Sequence, residues 1–414
     1  MPPPPLPTTE LLLVTGLDRP GVERVIARIR AADPDAVVVH HDLTDVARGL
    51  VRRRVRDRDT DTWTEIGLAH GCVSCTLRED LLPTLLSLAG RTRRVVLHLD
   101  PALEPEQVCW ALRHVPVAGM VLAELVDLRG VVTAVDAGTW LDDATGDADL
   151  AGRGLAGLPD DERTLAQVAV AHAEFADLLM HTGTADAWAH ARTDAVLARL
   201  APTAVRTRLA EVDDDLVLLR RAHPQARRGT PDQVHGPLLR GAPPLAPECG
   251  ARLLVFSARR PFHPDRLHEA FDLLLDGVVR VRGRVWLATR PDDVLWLESA
   301  GQALRIGGAG EWLAGRDAEA WERVPAERRA LAALGWHPRF GDRAQDVVVL
   351  THALDADGLD AVDAGLRAAL LTDAELAAGE ATWRALPDPF GLRHTDPCGE
   401  PAVPESGRTR AEES

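Results

Sequence analysis

Cys72 and Cys75 stand three residues apart in "HGCVSCTLRED", with His70 and Gly71 just before them. A C-x-x-C spacing lets two thiolates point at one ion, and zinc is the first candidate for such a pair. The same spacing at a helix start suits disulfide cycling, and two small residues in a turn need no chemistry at all. A complete zinc site requires further ligands, and the chain has no second C-x-x-C. His70 is adjacent, and His40, His41 or His98 could approach from neighbouring strand ends. Cys109, Cys249 and Cys398 stand alone.

A second candidate is "LLLVTGLDRPGVE", an apolar run followed by Gly16 and Gly21 at the spacing of the phosphate loop G-x-x-x-x-G-K-[ST]. Backbone N–H groups can cradle phosphates without particular side chains. The pattern's lysine neutralises phosphate charge and its hydroxyl holds magnesium, but Val22 and Glu23 occupy those positions. Glu23 and Asp18 bring negative charge that Arg19 offsets only in part. No lysine occurs anywhere, all 47 basic residues being arginine, and tyrosine is absent too. Schiff-base and phosphate-loop lysines are therefore excluded, and arginine stays protonated and cannot replace a lysine base. Gly16 and Gly21 thus mark a degenerate nucleotide site; GTP and magnesium are not expected to be turned over there.

In the second half, Asp342 with Arg343 and His263 with Asp265 lie near strand or helix ends. No nucleophile–base–orienter set follows from their spacing, and they read as structural ion pairs or a partner surface.

The elements that must position these residues are legible from hydrophobic period. "LLLVTG", "AVVVHHDL", "RVVLHLD" and "GVVTAVD" read as buried strands. "VERVIARIRAA" and "LREDLLPTLLSLA" read as amphipathic helices, the latter with Pro83 inside it. Alternation of such runs predicts an α/β domain with a parallel sheet covered on both faces, over residues 11–205. Residues 1–10 read as a disordered Pro-rich lead, and 206–250, rich in Pro, Gly and Arg, as a linker. Hairpin-like strands with separate helices predict a smaller α+β domain at 251–395, followed by a flexible tail at 396–414.

The bulk numbers bound the function. The 414 residues, 46% of them apolar, suit two cores. The net charge of −16 opposes extensive direct contact with nucleic acid. The local basic segment Arg48–Arg58 reads as a solvated element rather than an anion site. No window approaches the roughly 18 continuous apolar residues of a membrane span, and the N-terminus lacks a signal peptide's regions. The cytosol is the expected location.

The order of motifs resembles the CobW-type P-loop GTPases of metal homeostasis, over about residues 10–395. It rests on "LLLVTG…G", "GCVSCTLREDLLP", "TAVDAGTWL", "EFADLLM", "RRPFHPDRLHEAFDLLLDGVVRVRGRVWLA" and "FGDRAQDVVVL". The resemblance implies a P-loop-NTPase-like sheet domain followed by a CobW C-terminal-type domain. Departures accompany the matches. The family's G-C-x-C-C has Ser74 for its middle cysteine, its switch segment appears as "HLDPALEP", and its guanine-reading N-K-x-D appears as "HTGT", His181–Thr184. "HGCVSCT", "ARRPFHP" and the "DPFG…DPC" ending are similar in particular to the ribosome-hibernation-factor-recruiting branch. That likeness implies a pseudo-GTPase adaptor that places a hibernation factor on ribosomes under zinc limitation, binding protein rather than nucleic acid, with no membrane partner. The alternatives are a zinc metallochaperone and a residual GTP-binding GTPase.

Overall fold

The structure, a computed structural model, describes residues 8–156, 158, 161–211 and 225–391. Most of the Pro-rich lead, part of the linker and the tail with Cys398 lie outside the described residues.

The first half folds as an eight-stranded sheet. Its strands are β1 (Thr9–Thr15), β2 (Val37–Asp42), β3 (Leu50–Arg56), β4 (Asp61–Gly67), β5 (Arg94–His98), β8 (Val126–Val135), β9 (Leu178–His181) and β10 (Val205–Arg208). A small hairpin, β6 (Pro116–Val117) with β7 (Met120–Val121), stands apart. The order is β10-β9-β8-β1-β5-β2-β3-β4. The first six in that order are parallel, and β3 and β4 append an antiparallel edge.

The central strands are apolar on both faces because helices cover both. Helix α1 (Arg19–Ala32) buries Val22, Val25, Ile26 and Ile29 against Leu12, Val14, Val38 and Val96. The opposite face holds Leu11, Leu13, Val95 and Leu97 beneath α4 (Pro105–His114) and a composite helix, Val73–Leu88. That composite helix begins as α2 (Val73–Thr76), widens into a π turn at Leu77–Leu81 and ends as α3 (Leu82–Leu88). Pro83 accounts for the π turn: its ring has no N–H and would clash with the carbonyl four residues back in a regular helix.

The second half is an all-antiparallel sheet of β11 (Ala251–Ala258), β12 (Val278–Val285), β13 (Asp293–Ala300), β14 (Ala303–Glu311) and β15 (Gln345–His352), in the order β11-β15-β12-β13-β14. One face packs under the helices Pro264–Ala270 and Ala356–Ala368. The other lies on α5 (Trp140–Thr145), α6 (Leu165–Glu174) and α7 (Ala187–Leu200) of the first half. Ala251, Val279, Ala300 and Leu350 share one apolar core with Trp140, Ala166, Ala169 and Ala195, so the two sheets are joined by buried surface.

Three sequence expectations shift at their edges. Thr9 and Glu10, placed in the lead, belong to β1, where buried Arg94 holds Glu10. Arg206–Arg208, placed in the linker, pair with β9 as the sheet's last strand, its alternate residues half-buried. The described linker residues also carry buried contacts. Arg227 and Arg240 both reach Asp232, at 2.8 and 2.5 Å, and Arg282 of β12 reaches it at 3.0 Å.

Arg282 also pairs with Glu174 at the end of α6, at 2.5 Å, as does Arg280 at 3.0 Å. Carboxylates and guanidiniums alternate across the interface, which compensates their removal from water. Burial by itself would raise the Glu174 carboxyl, but Arg280, Arg282 and Arg227 outweigh it and hold the group at about 2. The folded value lies below the unfolded one. The stability it contributes is therefore present above about pH 4.5 and lost as pH falls toward 2. Glu174→Gln, which leaves buried Arg282 and half-buried Arg280 short of counter-charge, is expected to lower unfolding free energy at pH 7 by about 3–5 kcal/mol. Urea denaturation from pH 7 to 3 checks it, with the gap between variant and parent closing on the acid side; a constant or absent gap contradicts it.

Candidate functional site

Helix α2 begins at the cysteine pair. Cys72 is its N-cap, in extended conformation, and the Cys75 backbone N–H donates to the Cys72 Sγ at 3.3 Å. Gly71 makes this approach possible. A side chain there would lie 2.4 Å from the Val46 carbonyl, so only glycine lets the chain lie against the turn after β2. Both thiols are half-buried, and His70 and Glu79 are exposed. The Glu79 carboxylate accepts from the Ala69 N–H at 3.1 Å. Burial, then Cys72, then Glu79 push the Cys75 thiol up to about 11.

The structure therefore brings Cys72, Cys75 and Glu79 to one helix start. The two soft sulfurs suit zinc, while the exposed Glu79 carboxylate is engaged by the Ala69 N–H. Among the described residues, no group of three or more His, Cys, Asp or Glu is arranged to hold a metal ion. The histidines that could approach are engaged elsewhere. His41 Nε2 lies 2.7 Å from Asp80 Oδ2, and Asp80 also accepts from Arg53. His40 stacks on His98 with ring centroids 4.1 Å apart. Glu79 follows Cys75 by four residues, one helical turn on the same face, and that spacing was the signal by which sequence reading could have found it.

At the other candidate, β1 runs into α1 through only Gly16, Leu17 and Asp18. Gly16 has φ +151°, and a side chain on it would meet the Ala134 carbonyl at 2.6 Å. Pro20 lies in the helix's first turn, where its missing N–H costs nothing. Gly21 is therefore inside α1 rather than at the end of a loop. A Cβ on it would lie 2.2 Å from Asp18 Oδ2 and 2.5 Å from Thr182 Oγ1. The Asp18 carboxylate thus rests on Gly21. It accepts the Thr182 hydroxyl at 3.1 Å and stands 3.6 Å from Arg24, which donates to the Thr182 carbonyl at 2.7 Å.

The residues at the eroded positions are also engaged. Glu23 pairs with Arg56 at 3.2 Å and faces His98 at 3.6 Å. Burial, His40, Arg56 and Arg19 push His98 down to about 2, so it is neutral. Asp100 is buried and accepts from the Ala102 and Leu43 N–H groups; burial pushes its carboxyl up. A cleft of about 570 Å³ opens beside "HTGT", lined by His181, Thr182, His190 and Arg208 among others; two carboxylates meet that segment, Asp136 packing on Gly183 and Asp194 pairing with His181 at 2.8 Å. The basic segment 48–58 is largely tied up in ion pairs. Arg52 meets Asp42, Arg53 meets Asp80, Arg54 meets Asp61 and Arg58 meets Asp35.

Among the described residues, no helix is long and apolar enough to cross a membrane. Residues 251–370 match the family described as the cobalamin synthesis protein cobW C-terminal domain. The chain is 44% identical over 409 residues, 95% of each chain, to a Mycobacterium tuberculosis protein named zinc chaperone Rv0106. It is 25% identical over 363 residues to zinc-regulated GTPase metalloprotein activator 1 of Dictyostelium discoideum, covering 83% of this chain and 73% of that one. A solved structure of Zn(II)-bound YjiA GTPase from E. coli aligns at 14% identity with a TM-score of 0.36, over 88% of this chain and 99% of that one. The cobW C-terminal domain and the near full-length likeness to the mycobacterial protein together establish that this chain belongs to the CobW family.

Proposed function

We propose that this protein is a zinc-handling metallochaperone in which Cys72 and Cys75 take up the ion and the first domain serves as a scaffold without GTP turnover. The observation that carries the reading is the pair of thiols seated at one helix start, in a chain whose close relative is named a zinc chaperone. Two sulfurs alone leave coordination positions open. An incomplete shell suits an ion that is cargo and must leave again, whereas a structural zinc is fully enclosed by protein ligands. His70, exposed and two residues before Cys72, is the nearest further donor in the sequence.

The absence of GTP turnover is part of the same proposal. It is supported by the Asp18 carboxylate seated on Gly21, by Glu23 held by Arg56, and by Thr184 standing where N-K-x-D would place its base-reading aspartate. A guanine reader needs an acid there, and a magnesium site needs a hydroxyl near Glu23.

A second reading keeps the recruiter role that the sequence suggests: zinc occupancy would bias binding of a ribosome hibernation factor. The net charge of −16 and the pairing of the Arg48–Arg58 segment favour a protein partner over RNA. The names of the relatives favour the chaperone, which therefore stands first.

A competition titration against a chromophoric chelator tests the chaperone reading. The parent is expected to take up one zinc, and the Cys72→Ser, Cys75→Ser double variant to lose at least about 100-fold in affinity. Equal affinity in both sinks the assignment. Zinc must displace a proton from each thiol it binds. Apparent affinity should therefore rise about tenfold per pH unit for each proton displaced, between pH 6 and 8.

The metal-free thiols offer an independent check. Cys75 is protonated at neutral pH, so its alkylation should be slow and should accelerate toward pH 10. Glu79→Gln removes a negative charge that raises its pKa and should speed alkylation at pH 8 severalfold. A rate that Glu79→Gln leaves unchanged contradicts this placement of the carboxylate.

A further inference from the structure

The second domain holds a cavity of about 330 Å³ between the outer end of its sheet and the helix Ala326–Leu334. Its wall includes Arg259, Arg284, Arg328, His235, Trp312 and Asp342. Arg284 is matched by Asp346 at 3.2 Å. Arg259 and Arg328 make no carboxylate contact among the described residues. Arg259 donates to the Arg343 carbonyl at 3.2 Å, and Arg328 donates to the Glu311 carbonyl.

The carboxylates that line the cavity are already engaged. Both Asp342 oxygens accept backbone N–H groups, from Leu313 and Ala314, at 2.9 Å each. Asp346 accepts from Arg284 and from the Ser257 hydroxyl. Trp312 is 4% exposed, and its indole N–H is buried without a hydrogen-bond partner. Burying a donor with no acceptor is costly. With its carboxylates engaged, the cavity presents guanidiniums in excess of free acceptors, in a protein of net charge −16.

The electrostatics agree with the geometry. Burial and the Arg316 guanidinium pull Arg328 below its ordinary value, against Asp342 and Glu311. Burial, Arg328 and Arg284 push His235 down to about 4, so it is neutral near pH 7 and can accept or donate. At the rim Leu331 is 38% exposed and lines the cavity, with Leu334 at 86% and Trp336 at 43% close by in sequence.

We infer that this cavity binds a small organic oxyanion, its carboxylate or phosphate group held by Arg259 and Arg328, and its apolar part covering Leu331. The guanidinium forks supply charge-assisted bonds that match either head group. The volume lies at the small end of ligand-sized cavities. Nothing in the proposed zinc chemistry uses these residues.

Calorimetric titration of the full chain with hexyl phosphate, hexanoate, inorganic phosphate and hexanol tests it. At least one of the two hexyl anions should bind saturably. The stronger of the two identifies the head group, inorganic phosphate should bind more weakly, and hexanol should not bind. The Arg259→Gln, Arg328→Gln double variant should lose at least about tenfold in affinity. Its circular dichroism at the titration temperature should match the parent's, which separates lost binding from lost folding. Arg305→Gln on the distant strand β14 should leave binding unchanged. Absence of binding by both hexyl anions, or unchanged affinity in the double variant, overturns the proposal.

Discussion

The carboxylate of Asp18 rests on Gly21, and much of the first domain's carboxyl-end surface is organised around that contact. It follows from chain geometry. Gly16 is pinned by the Ala134 carbonyl, only three residues separate strand from helix, and Pro20 sits comfortably in the helix's first turn. In a phosphate loop the connection is longer and its amides face an external anion. Here the Asp18 side chain packs against Gly21 without capping the helix amides. Thr182, from the segment that would read a base, donates to Asp18, and Arg24 joins both. Glu23, one turn into the helix, is drawn to Arg56 and packs beside a neutral His98. The segments that would surround a nucleotide touch one another directly.

The absence of lysine shapes the rest. Every cation is a guanidinium, rigid and always charged, with a fork that matches carboxylates. Most are met by acids, and the sheet-to-sheet interface shows the result: Glu174 and Asp232 are shared among Arg227, Arg240, Arg280 and Arg282. This network and the shared apolar core join the two halves, and the described linker residues Arg227, Asp232 and Arg240 are part of it. Arg259 and Arg328 depart from that pattern, which is why their cavity stands out.

The legible part of the fold was what short-range periodicity encodes. The apolar runs at Leu11–Val14 and Val95–Leu97 specify strands buried on both faces, and the spacing Val22, Val25, Ile26, Ile29 specifies the helix between them. The cysteine pair and the missing lysine and hydroxyl at positions 22 and 23 were visible because local spacing carries them. The rest depends on contacts distant in sequence. Asp18 and Thr182 are 164 residues apart, and Glu174 and Arg282 are 108 apart. Strand β10 carries too few apolar residues to announce itself and exists because β9 offers it an edge. The π turn is implicit in Pro83, but only the packing of Asp80 against His41 and Arg53 shows what it positions.

On this account the first domain has become a platform that carries a two-thiol zinc site, the nucleotide's place being closed by the chain itself. Calorimetric titration of GTP with magnesium, into zinc-free and zinc-loaded protein, addresses that claim most directly. The account predicts no saturable nucleotide binding up to millimolar concentration in either form. Saturable, magnesium-dependent GTP binding at micromolar concentration would contradict it, since it would require Asp18 to leave Gly21 and Glu23 to leave Arg56.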